Sequence, residues 1–177
     1  MENKELIVNI EQWGKDRELD IKGTVEGQSI KTAEEMAELI IGISKENIET
    51  IKDSIGDIYI TLIIGNMISF KVDMNKINHS NENKLEKIPK DYLHYDKSKQ
   101  IRLIADKIDI VTRKHYKKDI IEGTQYLLLR IADMYQLDFK ECVESAYNEI
   151  ANRKGKMIGG TFVKEEDLEN CWINRKT

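Results

Sequence analysis

The positions of the apolar residues predict helices through most of the first half of the chain. Apolar residues recur every three or four positions over residues 4–17 and again over 28–44, which is the spacing of an amphipathic helix. A loop that contains two glycines is expected between them, at about 23–27. Asn47 is placed to cap a third, longer helix over about 48–68.

The second half of the chain contains fewer regular segments. Residues 73–100 are polar, contain the single proline and show no sustained period, which predicts a long connection. Helical spacing returns over residues 101–136, as one broken helix or two helices. Asp138 is placed to cap a last helix over about 139–153, and an irregular tail is expected from about residue 155. Since strand-like alternation is almost absent, we expect an all-α bundle of about five helices.

Length and composition favour one soluble domain over residues 1–177, with 40% hydrophobic and 34% charged residues. The formal net charge of -4 argues against a nucleic-acid polymer as partner but allows a phosphorylated small molecule. Two cysteines are too few for a disulfide framework, and the first 30 residues show no signal-peptide pattern. The longest apolar run, residues 58–68, is too short to span a membrane. We therefore expect a cytoplasmic protein without a membrane segment.

Two pairs of acidic residues are spaced so that each pair shares a helix face. Glu35 and Glu38 are three residues apart, and Asp53 and Asp57 are four residues apart on the next predicted helix. A short connection makes consecutive helices antiparallel neighbours, so the two pairs are expected to face each other. Carboxylates gathered in this way repel one another unless a cation compensates them. Oxygen ligands without histidine or cysteine suit Mg²⁺, or Mn²⁺, better than zinc.

Simpler explanations exist for the same acids. Glu34 and Glu35 lie near the beginning of a helix, where acids interact favourably with the helix dipole and often form a solvated face. Asp57 lies in a strongly apolar segment and therefore needs a partner. A salt bridge with Lys31 or Arg130 would satisfy it as well as a metal ion would. The residues alone leave these alternatives open.

Several segments resemble the MazG-like nucleoside triphosphate pyrophosphohydrolases, whose signature is ExxE on one helix and ExxD on the next. "EEMAEL" supplies the first half and "KDSIGDIYITL" the second. "EQWGKDREL", "GQSIKTAEEMAEL" and "AYNEIANRKGKMIGGTFVKEED" are similar to flanking segments of the family, so the resemblance covers most of residues 5–70 and 138–167. It implies a MazG-like all-α bundle, Mg²⁺ dependence, hydrolysis of a nucleoside triphosphate to the monophosphate and pyrophosphate, and a homodimer or homotetramer.

The resemblance also implies roles for the acids. Glu35, Glu38 and Asp57 would hold metal at the phosphates, and Glu35 or Glu38 would act as general base for the attacking water. One position departs from the pattern, because Ser54 stands where the first acid of ExxD is expected. Asp53, about 100° around the helix from position 54, is a candidate to supply the missing charge. The departure leaves open a binding protein of the same fold that has lost activity.

Further candidates for substrate contacts flank the acids. Trp13 could stack on a nucleobase, although core packing explains it equally well. Lys31 could contact phosphate, but an ion pair with Glu35 would also account for it. The resemblance also places Arg17, four residues after Trp13, near the nucleobase. The candidates for sugar or phosphate contacts are Asn148, Arg153 and Lys154. A helical interaction module, in which all these acids form a solvated face, is a third hypothesis.

Overall fold

The computed structural model describes residues 3–77 and 96–168. The helices in these ranges are α1 (Asn3–Asp16), α2 (Leu19–Lys22), α3 (Val25–Lys45), α4 (Ile48–Ile68), α5 (Lys97–Lys114), α6 (Lys118–Met134) and α7 (Phe139–Ile150). The expected all-α class is confirmed. The expected number of about five helices is too low, because a single-turn helix follows α1 and the segment before α7 forms two helices.

Side-chain caps fix where several helices begin. The Asn47 side chain accepts a hydrogen bond from the Thr50 N–H at the start of α4, and that of Asp138 accepts from the Glu141 N–H at the start of α7, as predicted. Thr24 caps α3, which therefore begins three residues earlier than expected and includes Gly27 in its first turn. Local cap chemistry thus sets these boundaries more sharply than apolar spacing does.

The predicted connection at 73–100 ends earlier than expected. Asp96 caps α5, and its carboxylate accepts from the Lys99 N–H at 2.8 Å, so residues 97–100 are helical. Residues 74–77 form a helical turn, and residues 78–95 lie outside the described part of the chain.

Helix α4 lies at the centre of the bundle. It packs against α1, α2, α3, α6 and α7, and most of its residues from Ile51 to Met67 are buried. A helix that is apolar around most of its circumference requires neighbours on every side. None of the helices within the described ranges is long and apolar enough to cross a membrane.

The predicted irregular tail is wrong over residues 155–168. Strands β1 (Gly155–Ile158) and β2 (Thr161–Lys164) pair antiparallel around Gly159 and Gly160, both of which have positive φ. Such a two-residue turn needs glycine-like freedom at its centre. A 3-10 turn, Glu165–Asp167, follows this C-terminal hairpin. The remaining residues, 169–177, are outside the described part.

Close packing of α4 against the α5–α6 junction gives a stability test at Gly65. A Cβ atom added there would lie 2.2 Å from Cζ of Tyr116, which is fully buried. We expect Gly65→Ala to lower the free energy of unfolding by about 1–3 kcal/mol, because the ring has no room to move.

Gly123→Ala on α6 is the matched control in chemical denaturation. Its added Cβ would meet only the flexible end of Lys107, and alanine is favoured over glycine in a helix by about 1 kcal/mol. Equal effects of the two substitutions would contradict the packing described here.

Candidate functional site

A cavity of about 380 Å³ opens between α1, α3, α4, α7 and the C-terminal hairpin. We call it the acidic cavity, because six carboxylates and only three cationic side chains line it. Its acids are Glu35, Glu38, Asp53, Asp57, Glu149 and Asp167, and its cations are Lys31, Arg153 and Lys164. Its aromatic and aliphatic lining includes Trp13, Leu19, Ile60, Ile64, Ile150 and Phe162.

Helical periodicity brings the four sequence-predicted acids to this cavity. On α3, Glu35 and Glu38 share one face with Lys31, and on α4, Asp53 and Asp57 are one turn apart. The two helices pack against each other along their length. The acidic pairs therefore line one cavity from adjacent walls, as their spacing predicted.

Asp57 has the most perturbed acid-base chemistry of these residues. Its pKa is raised to about 7, mainly by burial and in addition by the charges of Glu35, Asp53 and Glu149. The Arg153 guanidinium acts in the opposite direction. Asp57 therefore carries a proton much of the time at neutral pH unless a cation is added.

Two further carboxylates have raised pKa values. Burial is the main cause for Glu35, where the nearby Lys31 opposes the shift and Glu38 adds to it. Burial is also the main cause for Asp53, followed by the charges of Glu149 and Glu38. The acids thus destabilise one another in their charged forms, which is the condition that a bound cation would relieve.

Neither salt-bridge partner suggested for Asp57 reaches it in the described residues. Lys31 Nζ lies 2.6 Å from Glu34 and 3.4 Å from Glu35. Arg130 is buried on α6 and does not line the cavity. The suggested pairing of Lys31 with Glu35 is present, and Asp57 makes no ion pair with any described residue.

Ser54 does not face the acidic cavity. It is only 2% exposed and lies on the buried side of α4, whereas Asp53, one residue earlier, lines the cavity. The serine therefore does not remove a charge from the cavity wall. Asp53 and Asp57 supply the two α4 carboxylates that the wall contains.

Trp13 is both a cavity residue and a packing residue. Its Nε1 donates to the Ile150 carbonyl at 2.8 Å, and its ring makes an edge contact with Phe162 at a centroid distance of 5.8 Å. The Arg17 guanidinium covers the Trp13 ring at 4.3 Å and donates to the Arg153 carbonyl at 2.6 Å. Arg17 thus links the segment that precedes the hairpin to the C-terminal end of α1.

Two of the sequence-predicted substrate residues lie outside the acidic cavity. Asn148 is exposed on α7 and lines none of it. Lys154 is exposed and lines a second cavity of about 440 Å³, together with Arg17 and Lys156. Arg153 lines both cavities, and Glu149 forms an ion pair with it.

Sequence reasoning missed several cavity residues. Glu149 stands four residues before Arg153 on a helix, which is a readable ion-pair spacing. Phe162 and Lys164 belong to the hairpin, and two glycines between short apolar runs were the available signal for it. Asp167 had no local signal.

The donor chemistry of the acidic cavity fits a hard divalent cation such as Mg²⁺, because the candidate ligands are carboxylate oxygens. Within residues 3–77 and 96–168, however, no three His, Cys, Asp or Glu side chains are close enough to form a ready metal site. Ligation by Glu35, Glu38, Asp53 and Asp57 therefore requires their side chains to move. Mutual repulsion opposes bringing these acids together, and the charge of a bound cation would offset that repulsion.

Part of the chain is similar to a curated phage protein. Over 61 residues the chain is 46% identical to the "Uncharacterized 18.2 kDa protein in rep-hol intergenic region" of Haemophilus phage HP1. The similarity covers 34% of this chain and 37% of the phage protein, so the chain spans about a third of that relative's length. No family model matches the sequence, and no solved structure matches it.

The raised pKa of Asp57 predicts how stability depends on pH. A carboxyl group that holds its proton more tightly in the folded state stabilises folding below its folded pKa, and this contribution is lost as pH rises from about 4 to about 7. Asp57→Asn removes the group. In metal-free buffer, the variant should gain roughly 1–3 kcal/mol over the wild type between pH 4 and pH 8.

Urea denaturation of both proteins at intervals across this range measures the difference. Asp109→Asn is the control, since Asp109 is exposed and its ion pair with Arg113 lowers its pKa. A stability difference at Asp57 that does not change with pH would contradict the raised pKa.

Proposed function

We propose that the protein is a MazG-like, metal-dependent nucleoside triphosphate pyrophosphohydrolase, which forms the monophosphate and pyrophosphate. The observation that carries the proposal is the convergence of Glu35, Glu38, Asp53 and Asp57 on one cavity that Trp13 also lines. Perturbed carboxylates in a cavity with aromatic and aliphatic walls are typical of a catalytic site.

The proposed reaction needs a cation, an attacking water and a base. Mg²⁺, when bound, would offset the charge of the phosphates and of the leaving pyrophosphate. The water oxygen bonds to the α-phosphorus as the bond from that phosphorus to the bridging oxygen breaks. Glu35 or Glu38 takes the proton from the water. The raised pKa of Glu35 suits a base that works near neutral pH.

The other cavity residues have supporting roles in this proposal. Lys31 holds Glu35 in place through their ion pair, and Asp53 with Asp57 extends the acidic surface onto α4. A volume of about 380 Å³ is within the usual range for small-molecule sites. The apolar lining around Trp13 provides a surface for a nucleobase.

The proposal includes a homodimer or homotetramer. Ile30 and Ile41 on α3 are 58% and 47% exposed, and large apolar side chains on one helix favour burial against a partner. Cytoplasmic location and the absence of a nucleic-acid polymer as partner remain predictions from composition.

A catalytically weak nucleotide-binding protein is the alternative. In the sequence, Ser54 in place of an expected acid leaves this alternative open. Since Ser54 is buried away from the cavity and Asp53 lines it, the geometry favours an intact acidic surface instead.

Substitution of Glu38 tests the proposed activity. Purified protein is incubated with a panel of nucleoside triphosphates and Mg²⁺, and pyrophosphate and orthophosphate are measured separately. We expect pyrophosphate from the wild type and a decrease in rate of about 100-fold or more in Glu38→Gln, because the variant loses a carboxylate at the reacting phosphates.

Glu26→Gln is the matched control, since Glu26 is exposed on the same helix and does not line the cavity. Its activity should stay close to that of the wild type. Absence of pyrophosphate with every nucleotide would overturn the enzymatic proposal, and metal-dependent nucleotide binding in that case would favour the binding protein.

The burial of Ser54 predicts the result of restoring the family residue. Ser54→Glu should not raise the rate of pyrophosphate release, because the new carboxylate would enter the core instead of the cavity. It should also lower the free energy of unfolding by a few kcal/mol, on the order of the penalty for burying a charge. A large gain in rate without loss of stability would show that position 54 faces the site.

A further inference from the structure

The C-terminal hairpin forms a fixed wall of the acidic cavity. At its tip, the Thr24 N–H donates to the Gly160 carbonyl at 3.1 Å. At its base, Arg17 donates to the Arg153 carbonyl at 2.6 Å, and the Glu165 N–H donates to the Lys154 carbonyl at 3.0 Å. Attachment at both ends places the β2 side chains at defined positions relative to α3 and α4.

Strand β2 directs Lys164 toward the cavity. Side chains alternate between the two faces of a strand, so Phe162 and Lys164 share a face. Phe162 packs against Trp13 on the cavity side, and Lys164 lines the same cavity. Lys156, on β1, is exposed and lines the second cavity instead.

Lys164 differs from the other two cations of the acidic cavity. Lys31 forms ion pairs with Glu34 and Glu35, and Arg153 forms one with Glu149. Among residues 3–77 and 96–168, no carboxylate forms an ion pair with Lys164, and its side chain makes no hydrogen bond there. Its ammonium group is therefore available for an anion that enters the cavity.

We propose that Lys164 is a specificity-determining residue that binds the terminal phosphates of a triphosphate in the acidic cavity. The inference rests on the proposed function for the nature of the ligand. A triphosphate adds several negative charges to a cavity that already holds six carboxylates, so the distal phosphates need a cation that is not held in an ion pair. Lys164 lowers the pKa of Asp53 through its charge but forms no ion pair with it in the described residues. An ammonium group can donate up to three hydrogen bonds to phosphate oxygens.

A monophosphate does not need this contact to the same degree. Its single phosphate lies next to the sugar and lacks the distal groups that would extend to the hairpin. The hypothesis therefore predicts that Lys164 selects ligands by the number of their phosphates. If Lys164 merely balances the charges of the acids, its removal should weaken all phosphate ligands alike.

Binding measurements test this prediction without requiring turnover. The full chain, with Mg²⁺, is titrated with α,β-methylene analogues of the four deoxynucleoside triphosphates and with the matching monophosphates in a calorimeter. For Lys164→Met we expect the Kd of the best triphosphate analogue to rise about 10-fold or more, from loss of charge-assisted hydrogen bonds. The Kd of its monophosphate should change little, and Lys164→Arg should retain most of the affinity.

Lys156→Met is the matched control, because it removes the same charge from the other strand of the hairpin. The inference is overturned if the two methionine variants behave alike, if monophosphate and triphosphate weaken equally in Lys164→Met, or if the wild type binds no analogue. Lys164-dependent triphosphate binding without pyrophosphate release would overturn the enzymatic proposal alone. If the wild type releases pyrophosphate but Lys164→Met binds the triphosphate analogue with an unchanged Kd, only the role of Lys164 is overturned.

Discussion

The burial of α4 on nearly all sides is the constraint on which the rest of the structure depends. A central helix must be apolar wherever it meets its neighbours, and α4 is apolar along most of its length. Asp53 and Asp57 are the acids that it carries between Lys52 and Phe70. Both lie on the strip of α4 that lines the acidic cavity, so the cavity is where their charge can be solvated or paired.

The same burial makes each position along α4 chemically distinct. One residue corresponds to a rotation of about 100°, which is enough to separate the cavity-facing Asp53 from the core-facing Ser54. A motif written as a spacing of acids does not record this rotation. Helix packing sets the direction of each side chain and therefore decides which residues of α4 line the cavity.

Local signals in the sequence were sufficient for much of the fold and for the acids. Asn47 and Asp138 cap their helices as predicted, and three- and four-residue spacing placed both acidic pairs on helix faces that meet. The hairpin was missed because each of its strands is only four residues long, which is too short for a clear period.

The rest of the cavity lining depended on that hairpin. Lys164 reaches the cavity only because the hairpin docks against α1 and the start of α3. This docking uses main-chain carbonyls as acceptors, and any sequence supplies those. Residue spacing does not reveal how the hairpin docks. It therefore could not show that Asn148 and Lys154 lie outside the acidic cavity.

The attachment of the hairpin to α1 also has a consequence for the order of folding. The bonds from Trp13 to Ile150 and from Arg17 to Arg153 join residues 137 and 136 positions apart. Contacts of such long separation close large loops and form slowly compared with the local pairing of α3 with α4. The acidic faces of α3 and α4 can therefore come together before the C-terminal hairpin has docked and closed the cavity. During synthesis, the chain would expose its charged surface to solvent before it has formed the enclosure that perturbs the acids.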